Sequence, residues 1–179
     1  MNFLYSTFPD YTLVNGKKYK IVTDFRNYIQ MTSILREKEL TYQEKWSFII
    51  NKFYKETPHG DIESIIEGLI AFFTMDTDYF EKGKELIIDE NEDNKEVISY
   101  EQDANIIIVS FLQCYNIDLT DIDYLHWWKF LLLLMNIDNK SPIGNIMSIR
   151  GTSLSSIKDK DEKKRIRQLQ NIYKIKRQP

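Results

Sequence analysis

Apolar residues recur at three- and four-residue intervals along most of the chain, which is the pattern of amphipathic α-helices. The intervals are regular in residues 24–38, 42–53, 62–73, 100–116 and 142–151. Four of these segments have polar residues on the opposite side, so one face of each predicted helix can turn towards a core. Residues 62–73 have little polar face, so we predict that this helix is central and buried on most sides. The pattern therefore predicts a fold built mainly from helices.

Residues 122–136 form a segment that is apolar on nearly every side, with Trp127 and Trp128 followed by four leucines from Leu131. A helix that is hydrophobic all round is typically buried, so we predict this helix inside the bundle. Adjacent residues project about 100° apart on a helix, so the two tryptophans cannot face one wall of a core. We expect both to lie inside; the alternative is that one lies at an interface.

Several helix starts are indicated by residues that cap helices. Asp24, Asp61 and Ser141 each precede an apolar segment, where a short polar side chain can accept a hydrogen bond from a free backbone N–H group. Thr41 and Glu44 have the spacing of a capping box, in which each side chain satisfies the other residue's backbone donor.

The two ends of the chain differ from the middle. Asn15 and Gly16 separate two short strand-like runs, and this pair readily adopts the positive φ angles of a two-residue hairpin turn. Residues 159–176 form a charged helix with few apolar positions. We predict a mainly α protein: a compact helical bundle of about five helices with a small N-terminal β-hairpin and a basic C-terminal helix. Residues 1–155 would form the helical domain and residues 156–179 the basic tail.

The net charge of −3 hides an uneven distribution. Residues 158–177 contain nine Lys or Arg against three Asp or Glu, whereas residues 89–103 contain seven acidic residues and one Lys. We predict an exposed loop at about 89–98, because packed carboxylates would repel one another. The basic helix has three interpretations: it is solvated or docks on the acidic segment, it binds a protein partner, or it binds nucleic acid. Nucleic acid is the least favoured, because Tyr173 is the only aromatic residue there and no known motif surrounds it.

Composition excludes several classes of protein. The single cysteine, Cys114, cannot form an internal disulfide or a multi-thiolate metal site. The longest apolar run, Phe130 to Met135, is far shorter than the roughly 20 residues that span a bilayer, and the N-terminus lacks the features of a secretory signal. We therefore expect a soluble intracellular protein without membrane contact.

The chain lacks the sequence motifs of common enzymes: it has no Gly-rich phosphate loop, no nucleophile elbow and no HExxH. We expect His59 to be an exposed turn residue and His126 to form hydrogen bonds in the core or at an interface, rather than to act in catalysis. We expect Cys114, on an apolar helix, to be a buried and inert thiol. These residues predict a protein that is not an enzyme.

Two pairs of aspartates resemble metal-binding carboxylates in their spacing. They are Asp76 with Asp78, and Asp121 with Asp123. Both pairs lie at predicted helix boundaries, where Asp commonly caps a helix, so we interpret them as caps. We expect neither a metal nor another cofactor.

Five stretches of the C-terminal half resemble a known family. They are Ser99-Tyr-Glu-Gln-Asp-Ala104, Phe111, Tyr115-Asn-Ile-Asp-Leu119, Leu125-His-Trp-Trp-Lys-Phe130 and Ile146-Met-Ser-Ile-Arg-Gly151. The order of the third and fourth stretches is the most distinctive part. They resemble a family of small proteins from tailed phages and prophages of Gram-positive bacteria, encoded between the major tail protein and the tape-measure protein.

The resemblance implies a tail assembly chaperone. Such a protein binds the long helical tape-measure protein in the host cytoplasm, keeps its apolar stripes from aggregating, and is absent from the mature virion. The major tail protein and an upstream tail assembly chaperone would be further partners. An amphipathic helix of the client would lie in an apolar groove of the chaperone.

We name nine candidate partner-binding residues, which are the aromatic residues near the predicted core helix together with cations of the C-terminal third. They are Tyr124, Trp127, Trp128, Arg150, Lys163, Lys164, Arg165, Arg167 and Tyr173. The alternative function is a nucleic-acid-binding phage or prophage regulator that acts through the basic C-terminal helix.

Overall fold

The computed structural model of the protein describes residues 2–82 and 96–176. Within these residues the chain forms one two-stranded antiparallel hairpin and eight α-helices, which confirms the mainly α prediction. In chain order the elements are β1 (Tyr11–Val14), β2 (Lys17–Lys20), α1 (Phe25–Arg36), α2 (Tyr42–Phe53), α3 (Ile62–Phe73), α4 (Thr77–Lys82), α5 (Ala104–Tyr115), α6 (Trp127–Met135), α7 (Pro142–Gly151) and α8 (Lys160–Ile172).

The chain divides into two units. Unit 1 comprises Met1–Glu90 and Tyr124–Leu132, and unit 2 comprises Asn91–Asp123 and Leu133–Pro179. Unit 1 therefore contains the hairpin and α1 to α4, and unit 2 contains α5, α7 and α8. The boundary that we placed at residue 155 on sequence grounds stays a prediction, and α8 contacts α7 within unit 2.

The N-terminal hairpin forms as predicted. Asn15 and Gly16 have φ angles of 48° and 76°, the left-handed values that a two-residue hairpin turn requires. The hairpin contacts α3 at a glycine: a Cβ atom on Gly68 would lie 3.1 Å from the Thr12 side chain. The absence of a side chain at Gly68 thus lets β1 approach α3 closely.

The four N-caps predicted at the starts of α1, α2, α3 and α7 are confirmed. The side chain of Asp24 accepts a hydrogen bond from the Arg26 backbone N–H, and Asp61 and Ser141 cap α3 and α7 in the same manner. Thr41 and Glu44 form both bonds of the capping box at the start of α2.

Helix α6 begins at Trp127, five residues later than the predicted start at Ile122. The residues before it are instead paired with the segment that leads into α1. The Trp127 N–H donates to the Thr23 carbonyl at 2.7 Å, and the Phe25 N–H donates to the Leu125 carbonyl at 2.9 Å. These long-range hydrogen bonds satisfy the backbone groups of the residues before Trp127 in an extended conformation. The helix therefore does not include those residues, although their side chains continue the apolar pattern.

Two further differences concern helix boundaries. Helix α4 was not predicted from the sequence; Asp76 begins it by accepting hydrogen bonds from the backbone N–H groups of Asp78 and Tyr79. Helix α5 begins at Ala104 rather than at Tyr100. Most of the predicted acidic loop at 89–98 lies outside the described residues. No helix in the described ranges is long and apolar enough to span a bilayer.

Helices α1, α2 and α3 follow one another in alternating directions within unit 1. Lys45 of α2 donates to the Leu35 carbonyl of α1, and Lys52 of α2 donates to the Gln30 side chain of α1. The two helices are therefore antiparallel. The same holds between α2 and α3, because the Tyr54 hydroxyl, just after α2, bonds to the carbonyl of Ile65 near the start of α3. The end of α1, the start of α2 and the end of α3 therefore lie together.

Candidate partner-binding surfaces

Trp127 and Trp128 lie in the core of unit 1, with 1% and 0% of their surface exposed. Their indole N–H groups donate to the carbonyls of Phe73 and Phe72, at 3.0 and 2.7 Å. Two adjacent side chains that diverge on α6 can both be buried because the consecutive carbonyls at the end of α3 accept both indoles. Contact of either ring with a partner would require this core to open, so their role in binding stays a prediction.

Tyr124 and His126, next to the tryptophans, differ in exposure. Tyr124 is 55% exposed and its hydroxyl lies 2.7 Å from the Thr23 hydroxyl, so its ring remains accessible. His126 is 9% exposed; its Nδ1 accepts from the Trp128 backbone N–H at 3.1 Å, so Nε2 carries the proton donated to the Pro9 carbonyl at 3.1 Å. Burial lowers the pKa of His126, although the bond to Pro9 opposes that effect. The predicted hydrogen-bonding role is confirmed.

The other histidine and the cysteine are both exposed. His59 is the exposed turn residue that we predicted. Cys114 was predicted to be buried, and that prediction is wrong, because its side chain is exposed. Phe111 is the last buried residue of α5, so the final turn of the helix, which contains Cys114, is not buried.

Arg150 lies on the apolar face of α7, where it is 5% exposed and forms a buried ion pair with Asp103. Its two terminal nitrogens meet the two carboxylate oxygens at 2.5 and 2.9 Å. The same guanidinium donates to the carbonyls of Val97 and Tyr173, at 3.1 and 2.6 Å. Arg150 therefore holds unit 2 together internally and is not presented at the surface.

The ion pair also explains the late start of α5. Asp103 precedes Ala104 but makes no side-chain cap bond to the helix. Its carboxylate instead accepts from Arg150 and from the Ser99 backbone N–H. The sequence contains a signal for this pair, since Arg150 shares a helical face with Ile143 and Ile146, and a charge on an apolar face requires a partner.

Helix α8 is fixed to α7 along one face. Ile166 is buried, and the side-chain amide of Gln170 donates to the carbonyls of Ile149 and Thr152 at 2.9 and 2.8 Å. Tyr173 is half-buried just after the helix, where its carbonyl accepts from Arg150. A polar groove of about 390 Å³ runs between the two helices.

The four predicted cations of α8 have different environments. Lys164 and Arg167 are exposed, Lys163 is half-buried, and Arg165 is paired with Glu162, with two nitrogen to oxygen distances of 2.7 Å. Both side chains of that pair lie in solvent. The hydrogen bond from Arg165 lowers the pKa of Glu162. Among our candidates on α8, Lys163, Lys164 and Arg167 bond to no carboxylate of the residues that the structure describes.

An apolar pocket of about 80 Å³ lies where α1, α2 and α3 meet in unit 1, and we call it the three-helix groove. Its volume exceeds the space for one water molecule several-fold, so the tip of an apolar side chain can enter. Leu35 at its edge is 46% exposed. The lining residues are Met31, Leu35, Trp46, Ile49, Leu69, Ile70 and Phe73.

Trp46 lines the groove with its ring. Its Nε1 atom is buried and has no hydrogen-bond acceptor among the described residues. The ring of Tyr42, which is 73% exposed, lies edge-on to the Trp46 ring at 5.9 Å. The sequence did not indicate the groove, because it forms only where three helices meet.

The carboxylates provide no metal site in the described part of the chain, where no cluster of three or more His, Cys, Asp or Glu occurs. Asp76 is a cap, as predicted. Near the second aspartate pair, the turn is held by Asp118, which accepts from the Thr120 backbone N–H and hydroxyl. These two bonds lower the pKa of Asp118.

Comparison with known proteins places the chain among the proteins of bacteriophages. It belongs to the family described as bacteriophage Gp15 protein, whose family model matches residues 5–175. No curated protein and no solved structure matches the chain significantly. The relationship to a phage protein family that the sequence resemblance implied is therefore confirmed at that level.

Proposed function

We propose that the protein is a non-enzymatic tail assembly chaperone that binds the tape-measure protein during assembly of the phage tail. Membership of a bacteriophage family over nearly the whole chain supports a role in the phage cycle. The resemblance described above supplies the tail-assembly role. The major tail protein and an upstream chaperone are further proposed partners.

The three-helix groove is the observation that carries this proposal. A chaperone for a long helical protein must cover apolar stripes, and a groove between helices can receive the apolar face of a client helix. Leu35 and Ile70 line this groove, and Leu35 is already partly exposed, so a client side chain would lose water contact at small cost to the fold.

Burial of an apolar client side chain is the contribution that the groove can make, because its lining is apolar. Burial of one large aliphatic side chain contributes about 1.5–3 kcal/mol. The groove therefore favours a client helix that presents a large apolar side chain.

Co-expression with the tape-measure protein of the same phage tests the function. The soluble fraction of the tape-measure protein should rise when this protein is present, and the two should co-purify. A matched control replaces this protein with an unrelated small helical protein at equal expression. An unchanged soluble fraction together with a failure to co-purify would exclude the chaperone role.

We further propose that the protein acts in the host cytoplasm and is absent from the mature virion. Quantitative mass spectrometry of infected cells and of purified virions checks this. The protein should be abundant in the cell lysate and missing from particles that contain the tape-measure protein. A fixed number of copies per particle would instead indicate a structural tail component.

A nucleic-acid-binding regulator is the alternative function, and the exposed cations Lys164 and Arg167 favour it. In that case duplex DNA should bind at low salt, affinity should fall steeply as salt rises, and neutralisation of Lys163, Lys164, Arg165 and Arg167 should abolish binding. Absence of DNA binding at low salt would exclude this alternative.

A further inference from the structure

Residues 2–8, which precede the hairpin, lie against unit 1 outside any strand or helix, and we call them the N-terminal strap. The hydrogen bonds of the strap to described residues are internal, because the N–H groups of Leu4, Tyr5 and Ser6 all donate to Asn2. Leu4 and Tyr5 are also 95% and 83% exposed. The attachment of the strap to unit 1 therefore depends on its other side chains.

Two phenylalanines attach the strap to unit 1. The Phe3 ring lies edge-on to the Trp128 ring, with the centroids 5.5 Å apart, and the Phe8 ring stacks on the His126 ring at 4.9 Å. The Phe3 and Phe8 rings also contact each other at 4.8 Å. Aromatic contacts of these geometries are stabilising beyond the area that they bury. The rings of His126 and Trp128 thus form the surface that the strap covers, and we call it the strap site.

The strap site is built by contacts that do not involve the strap. The Trp128 ring of α6 lies 5.3 Å from the Phe72 ring of α3 and 5.3 Å from the Phe80 ring of α4. The indole N–H of Trp128 donates to the Phe72 carbonyl, and the Trp128 backbone N–H donates to His126. These contacts hold both rings in place whether or not the strap covers them, so the strap site is preformed.

The chain becomes anchored at Pro9, immediately after the strap. Pro9 is buried, and its carbonyl accepts from the His126 Nε2 atom at 3.1 Å. The carbonyl of Asp10 accepts from the Ile21 N–H at 3.0 Å, which ties the start of the hairpin to its end. Proline also has a fixed φ angle, so Pro9 is a stiff end point for the segment before it. The strap can therefore move without disturbing the hairpin.

We propose that the strap is a reversible cover, which opens at Pro9 and uncovers Trp128 and His126 while the rest of unit 1 stays folded. A segment with few buried apolar contacts opens at a smaller free-energy cost than the core does. Closure also orders the backbone of the whole strap, and this loss of conformational entropy opposes the two aromatic contacts. The closed form is the resting state, in which Trp128 is 0% exposed.

The strap also indicates what the strap site binds. Its ligand is a peptide segment with phenylalanines at positions i and i+5, because Phe3 and Phe8 place their rings on Trp128 and His126. The strap belongs to the same chain, so it occupies the site at a high effective concentration and blocks other segments of that pattern. The proposal does not rest on binding of the tape-measure protein.

Iodide quenching of tryptophan fluorescence tests whether the strap is a separable cover. The variants are made in a Trp46→Phe background, so that Trp127 and Trp128 alone emit. Phe3→Ser with Phe8→Ser should raise the quenching constant of the folded protein at least about twofold, because the Trp128 ring is uncovered. Leu4→Ser with Tyr5→Ser is the matched control: it changes two exposed residues of the same strap and should leave the quenching constant unchanged.

A fluorescent peptide with the sequence of residues 2–8 tests the ligand by anisotropy. It should bind the Phe3→Ser, Phe8→Ser variant, in which the strap site is vacant. It should bind the unchanged protein at least about tenfold more weakly, because the strap competes for the site. A control peptide with Ser in place of both phenylalanines should bind neither protein.

Three results would overturn the proposal. Equal quenching of the two double variants would show that Phe3 and Phe8 do not cover Trp128. Failure of the peptide to bind the Phe3→Ser, Phe8→Ser variant, or equal binding of the control peptide, would show that the strap site does not recognise the phenylalanine pair. Loss of helical circular dichroism in that variant would show that the strap is an integral part of the core of unit 1.

Discussion

Arg150 and Asp103 form a two-pronged ion pair inside unit 2, with both side chains at least 95% buried. The guanidinium uses its remaining donors on the carbonyls of Val97 and Tyr173. One side chain of α7 therefore ties the segment before α5 to the end of α8. Without it, a buried carboxylate would lose its ion-pair partner and two part-buried carbonyls would lose a donor.

We predict that Arg150→Met lowers the free energy of unfolding by about 3–5 kcal/mol, since a buried charge left without its partner is strongly destabilising. Arg165→Met is the matched control, because Arg165 also forms an ion pair with a carboxylate but lies in solvent. That change should cost far less, because solvent screens an exposed ion pair. Urea denaturation followed by circular dichroism measures both values, and equal losses would contradict the assigned role of Arg150.

His126 should make stability depend on pH near neutrality. Burial lowers its pKa in the folded protein, so the unfolded chain binds a proton first as the pH falls. The free energy of unfolding should therefore decrease as the pH falls below about 6.5, the ordinary value for histidine. Denaturation curves at several pH values above the range of the carboxylates measure the slope.

The two histidines can be separated by substitution. His126→Gln should remove most of this pH dependence, whereas His59→Gln should leave it intact because His59 is exposed. Protonation of His126 at Nδ1 would also break its bond from the Trp128 N–H. A slope that persists in His126→Gln would show that another group titrates.

Tryptophan fluorescence tests whether Trp127 and Trp128 are core residues. Both are buried, whereas Trp46, which lines the three-helix groove, is partly exposed. In the variant Trp46→Phe, the emission should therefore resist quenching by iodide until the protein is unfolded. Strong quenching of the folded variant would show that Trp127 and Trp128 of α6 are accessible to solvent. Both would then be candidates for contact with a partner.

Local structure was well predicted from the sequence where local chemistry determines it. The Asn15-Gly16 turn and the capping box of Thr41 and Glu44 depend on residues within a few positions of each other, and both formed as expected. The start of α6 was misplaced because residues before Trp127 pair with the chain near Thr23, about 100 positions away. No helical periodicity encodes such a pairing.

The candidate surface was harder to predict for the same reason. Aromatic and basic composition drew attention to Trp127, Trp128 and Arg150, which the fold uses internally. The groove around Trp46 depends on the meeting of three helices, each of which has an ordinary apolar face in the sequence. The exposure of Cys114 likewise depends on tertiary packing, because the buried part of α5 ends at Phe111.

Binding of the tape-measure protein in the three-helix groove can be tested with two leucines of equal exposure. Leu35 lines the groove and Leu112 lies on α5, and each is 46% exposed, so Leu35→Lys and Leu112→Lys place the same charge on surfaces of similar accessibility. The measurement is the soluble fraction of the tape-measure protein when it is co-expressed with each variant. Leu35→Lys should reduce that fraction towards the level without chaperone, while Leu112→Lys should preserve it. Equal solubility with both variants would contradict the assignment of the groove as the binding site.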